Sequence, residues 1–378
     1  MVAILRAHGQ VVWLDDLSRS ILASGELAEL VQAGIVSGIT TNPAIFQRAI
    51  TQSPIYDAEI VLLSRRGLPP GDIVEALMVR DVAIAADLLR PTFEQSGGSD
   101  GFVSIEVDPR LAHDTYATVT EAKRLWWQLD RPNIFIKVPA TAAGVRALTL
   151  LIAEGINVNA TLIFSVERYL EIANAYLTGL ERRLAARLPL AAVTSVASLF
   201  VSRLDTKVDH WLDAQVAAGT LDPHRGKELR GQAALANARL AYQAFLQLLA
   251  TPRWQKLAQA GARPQRLLWA STSTKDPQYS DVKYIEGLVA PQTITTIPRT
   301  TLEAFLDHGR IQTVLTEQNP DAAALLQQLE ALGLDLPAVF SELEVEGIAA
   351  FEQAYLALIS AVAERSRRLA LAAIEGGG

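Results

Sequence analysis

The sequence predicts a single α/β domain of the (β/α)8 TIM-barrel type, with helical insertions and a C-terminal helical extension. Short runs rich in β-branched and aromatic residues alternate with longer stretches of helical periodicity, which is typical of βα units in a parallel sheet. Eight such runs occur, and eight strands with helices between them favour a closed barrel over an open sheet. The glycine-rich nucleotide turn expected of an open doubly wound sheet, GxGxxG, is missing from the sequence.

The eight predicted strands are bounded by turn residues. They cover residues 11–15, 34–42, 102–108, 133–139, 155–164, 192–198, 266–272 and 293–297. Two connections, 43–101 and 200–265, are too long for simple crossovers, and we predict that both contain helical insertions. Residues 1–310 therefore form one catalytic barrel domain in this prediction.

The chain after the last strand consists almost entirely of helix-forming residues. A stretch rich in Ala, Leu, Glu and Arg runs from Leu336 to Glu375, and Ser341 is a candidate N-cap for it. We expect residues 311–378 to form a helical extension that packs on the barrel or at a subunit interface.

Composition and charge bound the class of protein. Half of the 378 residues are hydrophobic and 20% are charged, as in ordinary soluble globular proteins. The formal net charge is -7, and no cluster of Lys and Arg provides the basic stripe that nucleic-acid phosphates require. The sequence shows neither a long uncharged apolar run nor a signal-peptide pattern. We expect a cytoplasmic monomer or homodimer that binds small molecules, without nucleic-acid or membrane partners.

Polar residues occur in register on strands that should be buried on both faces. In the segment NIFIKVP, Ile134, Ile136 and Val138 share one face, whereas Lys137 lies on the other. The segments FVSIEVD and GINVNATLIF alternate in the same way. Each of these strands has one wholly apolar face, so we expect the polar face to point into the barrel.

The polar residues also fall late in their strands, where barrel enzymes build their sites. Those at or near a predicted strand end are Asp15, Asn42, Glu106, Lys137, Ser198 and Ser271. Each has a structural explanation when taken singly. Lys137 could extend from an edge strand and Glu106 could form a structural ion pair; Asn42 could be a turn residue and Asp15 a helix cap. Together with the polar face of GINVNATLIF, they make a coincidence across seven predicted strands, which favours a site.

A lysine in this position suits the attack of an amine on a carbonyl group. Burial disfavours the charged ammonium, and the neutral amine can form an imine with a ketone. A protonated imine withdraws electrons, so that a neighbouring carbon–carbon bond can break with its electrons held as an enamine. Glu106 and Asp15 could move the required protons. The neutral residues Asn42, Asn159, Thr161 and Ser198 could bind hydroxyl groups.

This chemistry requires no metal ion or other cofactor. The five histidines show no HxxxH or HExxH spacing of the kind found in zinc enzymes. Arg203 and Lys275 follow the sixth and seventh predicted strands, where barrels commonly bind phosphate. Surface salt bridges are the alternative role for both residues.

Six segments resemble the motifs of the transaldolase family in their order along the chain. They are VVWLDDLSR, GITTNPAIF, VSIEVDPRL, IFIKVPAT, GINVNATLIFS and SVASLFVSRLD, and the resemblance spans roughly residues 11–301. It implies transfer of a dihydroxyacetone unit in the non-oxidative pentose phosphate pathway. The donor would be a ketose phosphate, fructose 6-phosphate or sedoheptulose 7-phosphate, and the acceptor an aldose phosphate, erythrose 4-phosphate or glyceraldehyde 3-phosphate.

The resemblance also implies roles for single residues. Lys137 would form the Schiff base, and Asp15 would act as acid and base at the cleaved bond. Glu106 and Thr161 would position a water molecule that moves protons. The residues implied to bind substrate are Asn42, Asn159, Ser198, Phe200, Arg203, Ser271 and Lys275.

Two segments depart from the family pattern. Many transaldolases carry an arginine two residues after the serine of the seventh strand, whereas here Ser273 occupies that position and Lys275 is the nearest cation. The stretch DDLS stands where DTGD is familiar, as in a longer bacterial branch of the family.

Two other functions compete with this interpretation. A fructose-6-phosphate aldolase shares the barrel but releases free dihydroxyacetone, and such aldolases typically carry Gln and Tyr where this chain has Glu106 and Phe200. A barrel without catalysis could instead serve as a scaffold. The intact lysine and carboxylate positions disfavour that role.

Overall fold

Eight parallel strands close into a barrel in the computed structural model, which describes residues 1–311, 314–316 and 320–375. Each strand pairs with the next one along the chain, and the last pairs with the first. The strands are β1 Gln10–Leu14, β2 Gly38–Ile39, β3 Val103–Glu106, β4 Ile134–Pro139, β5 Val158–Ile163, β6 Ser195–Phe200, β7 Arg266–Ala270 and β8 Thr293–Ile297.

Helices surround the barrel and fill its long connections. They are α1 Val2–Ala7, α2 Arg19–Ala23, α3 Glu26–Gln32, α4 Pro43–Gln52, α5 Asp57–Arg65, α6 Pro70–Gln95, α7 Thr115–Leu129, α8 Ala142–Glu154, α9 Val166–Ala185, α10 Ser202–Ala217, α11 Pro223–Leu229, α12 Ala233–Leu249, α13 Pro252–Gln259, α14 Lys283–Gly287, α15 Arg299–His308, α16 Pro320–Ala331 and α17 Leu336–Glu375. Two short 3-10 turns, Pro54–Tyr56 and Pro109–Leu111, interrupt the connections.

The predicted fold class is confirmed, including its helical insertions and its C-terminal helical extension. Helices α4 to α6 fill the connection after β2, and α10 to α13 fill the connection after β6. The second strand is much shorter than predicted, because Gly34 ends the preceding turn in the left-handed region and Asn42 already caps α4. The domain boundary at residue 310 stays a prediction.

Aromatic rings fill the N-terminal half of the barrel. The ring centroids of Phe102 and Phe135 lie 4.4 Å apart, and those of Trp13 and Phe135 lie 6.0 Å apart. Trp13 is fully buried, and its Nε1 donates to Asp100 Oδ1 at 2.8 Å. Gly38 leaves room for the indole, since a Cβ atom there would lie 2.5 Å from it. The rings therefore leave the C-terminal half of the barrel interior to the polar residues of the predicted site.

The C-terminal helix α17 crosses the C-terminal end of the barrel. It packs against α4, α5 and α6 on one side and against α10 and β5 on the other. Its buried stripe contains Leu343, Phe351, Leu358 and Val362. The sequence alone did not indicate which face of the barrel this helix would cover.

The predicted N-cap of α17 is wrong. The Oδ1 atom of Asp335 accepts a hydrogen bond from the backbone N–H of Ala338 at 2.9 Å, whereas Ser341 lies inside the helix. Pro337 explains the earlier start, because a proline in the first turn has a suitable φ angle and needs no N–H partner there.

Helix α17 is also long and apolar enough, by length and composition alone, to cross a membrane. Of its apolar window, 28% is buried inside the protein, and polar contacts fix the helix on the barrel. Arg365 pairs with Asp57 and donates to the backbone carbonyl of Ser53 at 2.7 Å, and Ser366 donates to Ser64 at 2.7 Å. Helix α17 is therefore docked on the barrel and its surrounding helices.

Gly38→Ala tests the packing of the barrel interior. We expect it to destabilise the protein by about 1–3 kcal/mol, because the new methyl group overlaps the Trp13 indole and the packed ring cannot move away. The midpoint of urea unfolding measures the effect. Gly71→Ala is the matched control, since its Cβ would meet only Ile359, at 4.0 Å. A Gly38→Ala midpoint equal to that of the control contradicts the packing described here.

Candidate active site

Lys137 lies near the C-terminal end of β4 and is 4% exposed. The register of β3 and β4 places Glu106 directly beside it. The Nζ atom donates to Glu106 Oε1 at 2.6 Å and to the backbone carbonyl of Thr41 at 2.7 Å. A closed barrel has no edge strand, so the alternative of a lysine extending from an edge does not apply. The surroundings of the lysine are also more polar than the sequence suggested.

Glu106 accepts hydrogen bonds on both carboxylate oxygens. Besides Lys137 on Oε1, the Thr41 hydroxyl donates to Oε2 at 3.2 Å. Burial raises the pKa of Glu106, while the charge of Lys137 and its hydrogen bond act in the opposite direction. A raised pKa makes this carboxylate a better proton acceptor for its neighbour.

Asp15 follows β1 and faces the same cavity as Lys137. Its Oδ1 atom accepts a hydrogen bond from the Thr40 hydroxyl at 2.7 Å. Burial raises the pKa of Asp15, and the charge of Lys137 and the hydrogen bond from Thr40 offset this in part. The neighbouring Asp16 instead forms a surface ion pair with Arg48 at 3.4 Å. The structure therefore separates the two adjacent aspartates, and Asp15 is the one inside the barrel.

A chain of neutral groups runs across the barrel beside Lys137. Asn159 lies next to the lysine in register, and its amide donates to Ser104 Oγ at 3.1 Å. The Ser198 hydroxyl in turn donates to Asn159 Oδ1 at 2.6 Å. These side chains are fully buried. The chain fixes the orientation of the Asn159 amide, and of its members only Ser198 lines the cavity.

Strand β5 is irregular immediately after Thr161. Its pairing with β6 shifts between Ala160 and Ile163, and Leu162 has a φ of 60°. A non-glycine residue in the left-handed region inside a strand is strained, and such strain is concentrated at functional sites. The Thr161 hydroxyl is buried and has no hydrogen-bond partner among the described residues. It is therefore able to bind a water molecule or a substrate group.

Asn42 has a structural role as well as a place at the cavity. Its Oδ1 atom accepts a hydrogen bond from the backbone N–H of Ile45 at 3.0 Å and caps α4. The same side chain lines the cavity above Lys137. Because the cap uses only the oxygen, the amide N–H groups can still donate to a ligand.

The cavity at the C-terminal end of the barrel has a volume of about 230 Å³. The predicted site residues that line it are Asp15, Asn42, Lys137, Ser198, Phe200, Arg203, Ser271 and Lys275. Glu106, Asn159 and Thr161 are buried and do not line it. The structure thus places eight of the predicted site residues around one cavity. The other three are buried behind its surface.

Sequence reasoning missed two lining residues of the extension, Ala350 and Phe351 of α17. It also missed Thr40 and Thr296, which follow the inward alternation of β2 and β8. The alternation of TITTI and GITTN could have indicated the two threonines. No signal in the sequence indicated which barrel residues the buried stripe of α17 would meet.

Two cations, Arg203 and Lys275, line the cavity. Arg203 lies in the first turn of α10, with its Cζ 5.3 Å from the centre of the Phe200 ring. Lys275 Nζ donates to Ser273 Oγ at 2.9 Å. Neither cation has an ion-pair partner within 4.0 Å in the part of the chain that the structure describes. The surface salt bridges considered as an alternative are therefore not formed there.

The two cations lie close enough to repel each other. Burial lowers the pKa of Arg203, and burial together with the charge of Arg203 lowers the pKa of Lys275. Ser271, which lines the same cavity, has a φ of 53°, and its Oγ lies 2.9 Å from Ser202 Oγ. Like charges held together at a strained turn favour the binding of an anion.

Comparison with known proteins agrees with this arrangement. The family model for transaldolase/fructose-6-phosphate aldolase matches residues 12–362. The chain is 48% identical to a transaldolase of Parafrankia sp. (strain EAN1pec) over 96% of each chain. It is 50% identical to transaldolase 1 of Streptomyces avermitilis, over 96% of this chain and 95% of that one.

A third relative, a transaldolase of Mycobacterium tuberculosis (strain CDC 1551 / Oshkosh), is 49% identical over 95% of each chain. These matches extend well into α17, so most of the C-terminal extension is shared with the relatives rather than lying beyond the family pattern. The chain therefore belongs to the transaldolase/fructose-6-phosphate aldolase family.

Proposed function

We propose that this protein is a transaldolase that acts through a Schiff base on Lys137 in the non-oxidative pentose phosphate pathway. It transfers a dihydroxyacetone unit from sedoheptulose 7-phosphate or fructose 6-phosphate to glyceraldehyde 3-phosphate or erythrose 4-phosphate. The observation that carries the proposal is the buried Lys137–Glu106 contact of 2.6 Å at the wall of a cavity that Arg203 and Lys275 also line.

The first step is formation of the imine. The Lys137 ammonium passes a proton to Glu106, and the neutral amine attacks the ketone carbon of the donor sugar. The resulting carbinolamine loses water, for which a proton must reach the departing oxygen. Glu106 and the unpaired Thr161 hydroxyl are the groups assigned to hold the water that carries this proton.

The second step breaks the carbon–carbon bond. Asp15 accepts the proton of the hydroxyl group on the carbon beyond the bond, and the bonding electrons move into the iminium to give an enamine. The shortened aldose phosphate leaves, and an acceptor aldose phosphate takes its place. Asp15 then returns the proton to the new hydroxyl group as the bond re-forms. The raised pKa of Asp15 suits a group that must both accept and donate this proton.

Neutral and cationic side chains orient the sugar. Asn42 and Ser198 can bind the hydroxyl groups of the dihydroxyacetone unit, and Asn159 holds Ser198 in place. Phe200 forms part of the wall beside Arg203. Arg203, Ser271 and Lys275 are proposed to bind the phosphate, with Lys275 providing the charge that an arginine supplies in many transaldolases.

We propose a cytoplasmic location and no partners other than sugar phosphates. A monomer and a homodimer are both compatible with the proposed site, because every residue assigned to it comes from one chain. Glu106 and Phe200 favour transfer over the aldolase reaction known in the same family.

Lys137→Met tests the proposed nucleophile. We expect a folded but less stable protein with no turnover of fructose 6-phosphate plus erythrose 4-phosphate, because methionine fills a similar volume without an amine and leaves Glu106 without its partner. Lys123→Met is the control, since Lys123 forms an exposed ion pair with Glu154 and should be dispensable. Measurable transfer of the dihydroxyacetone unit by the Lys137 variant would contradict the Schiff-base proposal.

Thr40→Val tests the proton balance of Asp15. The Thr40 hydrogen bond stabilises the charged carboxylate and lowers its pKa, so its removal raises that pKa further. Because the base form is lost as the pH falls through the pKa, the acidic limb of the kcat/KM profile should move to higher pH. In the control Thr295→Val, on the other face of β8, the limb should stay in place. A limb that does not move in Thr40→Val contradicts the role given to Asp15.

Lys275→Met tests the phosphate site. We expect kcat/KM for fructose 6-phosphate to fall about tenfold or more, as for loss of a hydrogen bond to a charged group. Turnover of unphosphorylated fructose should change little. The exposed Arg48→Gln is the control for a lost surface charge. Equal losses with both sugars would show that Lys275 supports the loop rather than the phosphate.

A further inference from the structure

Phe351 of α17 covers Lys137 from the open end of the barrel. The Nζ atom lies 5.7 Å from the centre of the phenyl ring, and Phe351 is 6% exposed. Phe351 and its neighbour Ala350 line the same cavity as Lys137. The C-terminal helix, which follows all eight strands in the chain, thus supplies one wall of the reaction site.

Polar anchors hold α17 on both sides of this ring. Toward the N-terminus of the helix, Lys207 pairs with Glu342 at 2.9 Å, and Arg168 pairs with Glu344 at 3.3 Å. Toward the C-terminus, Arg365 binds Asp57 and two backbone carbonyls, one in the last turn of α4 and one just after that helix. Because the helix is fixed at two places, Phe351 has little freedom to move away from the cavity.

Gly347 brings the helix unusually near the barrel one turn before Phe351. A Cβ atom at Gly347 would lie 3.0 Å from Leu162 and 3.5 Å from Phe164. Leu162 is the strained residue of β5. The missing side chain therefore lets the helix rest directly on the strand, and Phe351, four residues later on the same face, points to the barrel mouth.

We propose that Phe351 makes the enamine on Lys137 available for transfer rather than release, by excluding water from its reactive carbon. This inference rests on the proposed function. After the donor is cleaved, the enamine remains on Lys137 until an acceptor aldehyde binds. If its reactive carbon takes a proton from water instead, the product is an iminium. Addition of one water to the iminium carbon and expulsion of the lysine amine then give free dihydroxyacetone.

A phenyl ring suits this task for two reasons. It fills space without a proton to donate or a lone pair to order water, so it removes the proton source from the open side of the site. Its face also tolerates the positive charge of the iminium that precedes and follows the enamine. A hydroxyl or charged side chain at this place would bring a proton donor or a water shell.

The ratio of release to transfer is the quantity that tests the inference. Free dihydroxyacetone is measured with fructose 6-phosphate alone, and transfer is measured after addition of erythrose 4-phosphate. In Phe351→Ala we expect the ratio to rise about tenfold or more, equal to about 1.4 kcal/mol between the two barriers. Phe351→Leu keeps the bulk but not the ring face, so it should keep release low.

Leu358→Ala is the matched control on the same helix. Leu358 is fully buried in the stripe but does not line the cavity, so its loss loosens the helix without opening the site at Lys137. We expect its ratio to stay near that of the unmodified protein. Phe351→Val, a smaller truncation, gives the same comparison with an intermediate rise if the alanine variant does not fold.

Two results overturn the inference. One is an unchanged ratio in Phe351→Ala or Phe351→Val while the donor is still cleaved. The other is an equal rise in Leu358→Ala, which assigns the effect to the docking of the helix rather than to the ring. Failure of the unmodified protein to cleave the donor is a different result, because it removes the proposed function itself.

Discussion

The structure depends on one buried ion pair, Lys137 with Glu106. Neither charge could be left alone at this depth without a cost of several kcal/mol, so each requires the other. The parallel register of β3 and β4 provides the partner, since it places the two residues side by side whatever the loops do. The contact pairs an amine with a carboxylate, and it becomes reactive when one proton is transferred between Nζ and Oε1, which lie 2.6 Å apart, and leaves two neutral groups. Stability and reactivity thus come from the same contact.

The rest of the barrel limits how water reaches this pair. The rings of Trp13, Phe102 and Phe135 fill the N-terminal half, and α17 crosses the C-terminal end with Phe351 over the lysine. The cavity between them is small and lined by fixed polar groups. In such a site, charges interact more strongly than in water and need not reorganise during the reaction. The C-terminal extension therefore shapes the site as well as the fold.

Much of the barrel could be predicted from the sequence, because period-two alternation on buried strands is a strong physical signal. It indicated the inward face of β4 and the position of Lys137 near the strand end. It could not distinguish a side chain that lines the cavity, such as Ser198, from a buried side chain that forms a hydrogen bond with a lining residue, such as Asn159. Both side chains point into the barrel. The contribution of α17 to the cavity could not be predicted for another reason. An amphipathic helix shows that one face is buried, but only the tertiary structure shows that Phe351 is buried against Lys137.

The central claim is that the amine of Lys137 carries the sugar fragment. Borohydride reduction in the presence of fructose 6-phosphate, followed by peptide mapping, measures this directly, because it converts a transient imine into a stable secondary amine. The account predicts a three-carbon adduct on the peptide that contains IFIKVPAT, at Lys137. An adduct on a different lysine, or no adduct from a donor that is nevertheless cleaved, would contradict it.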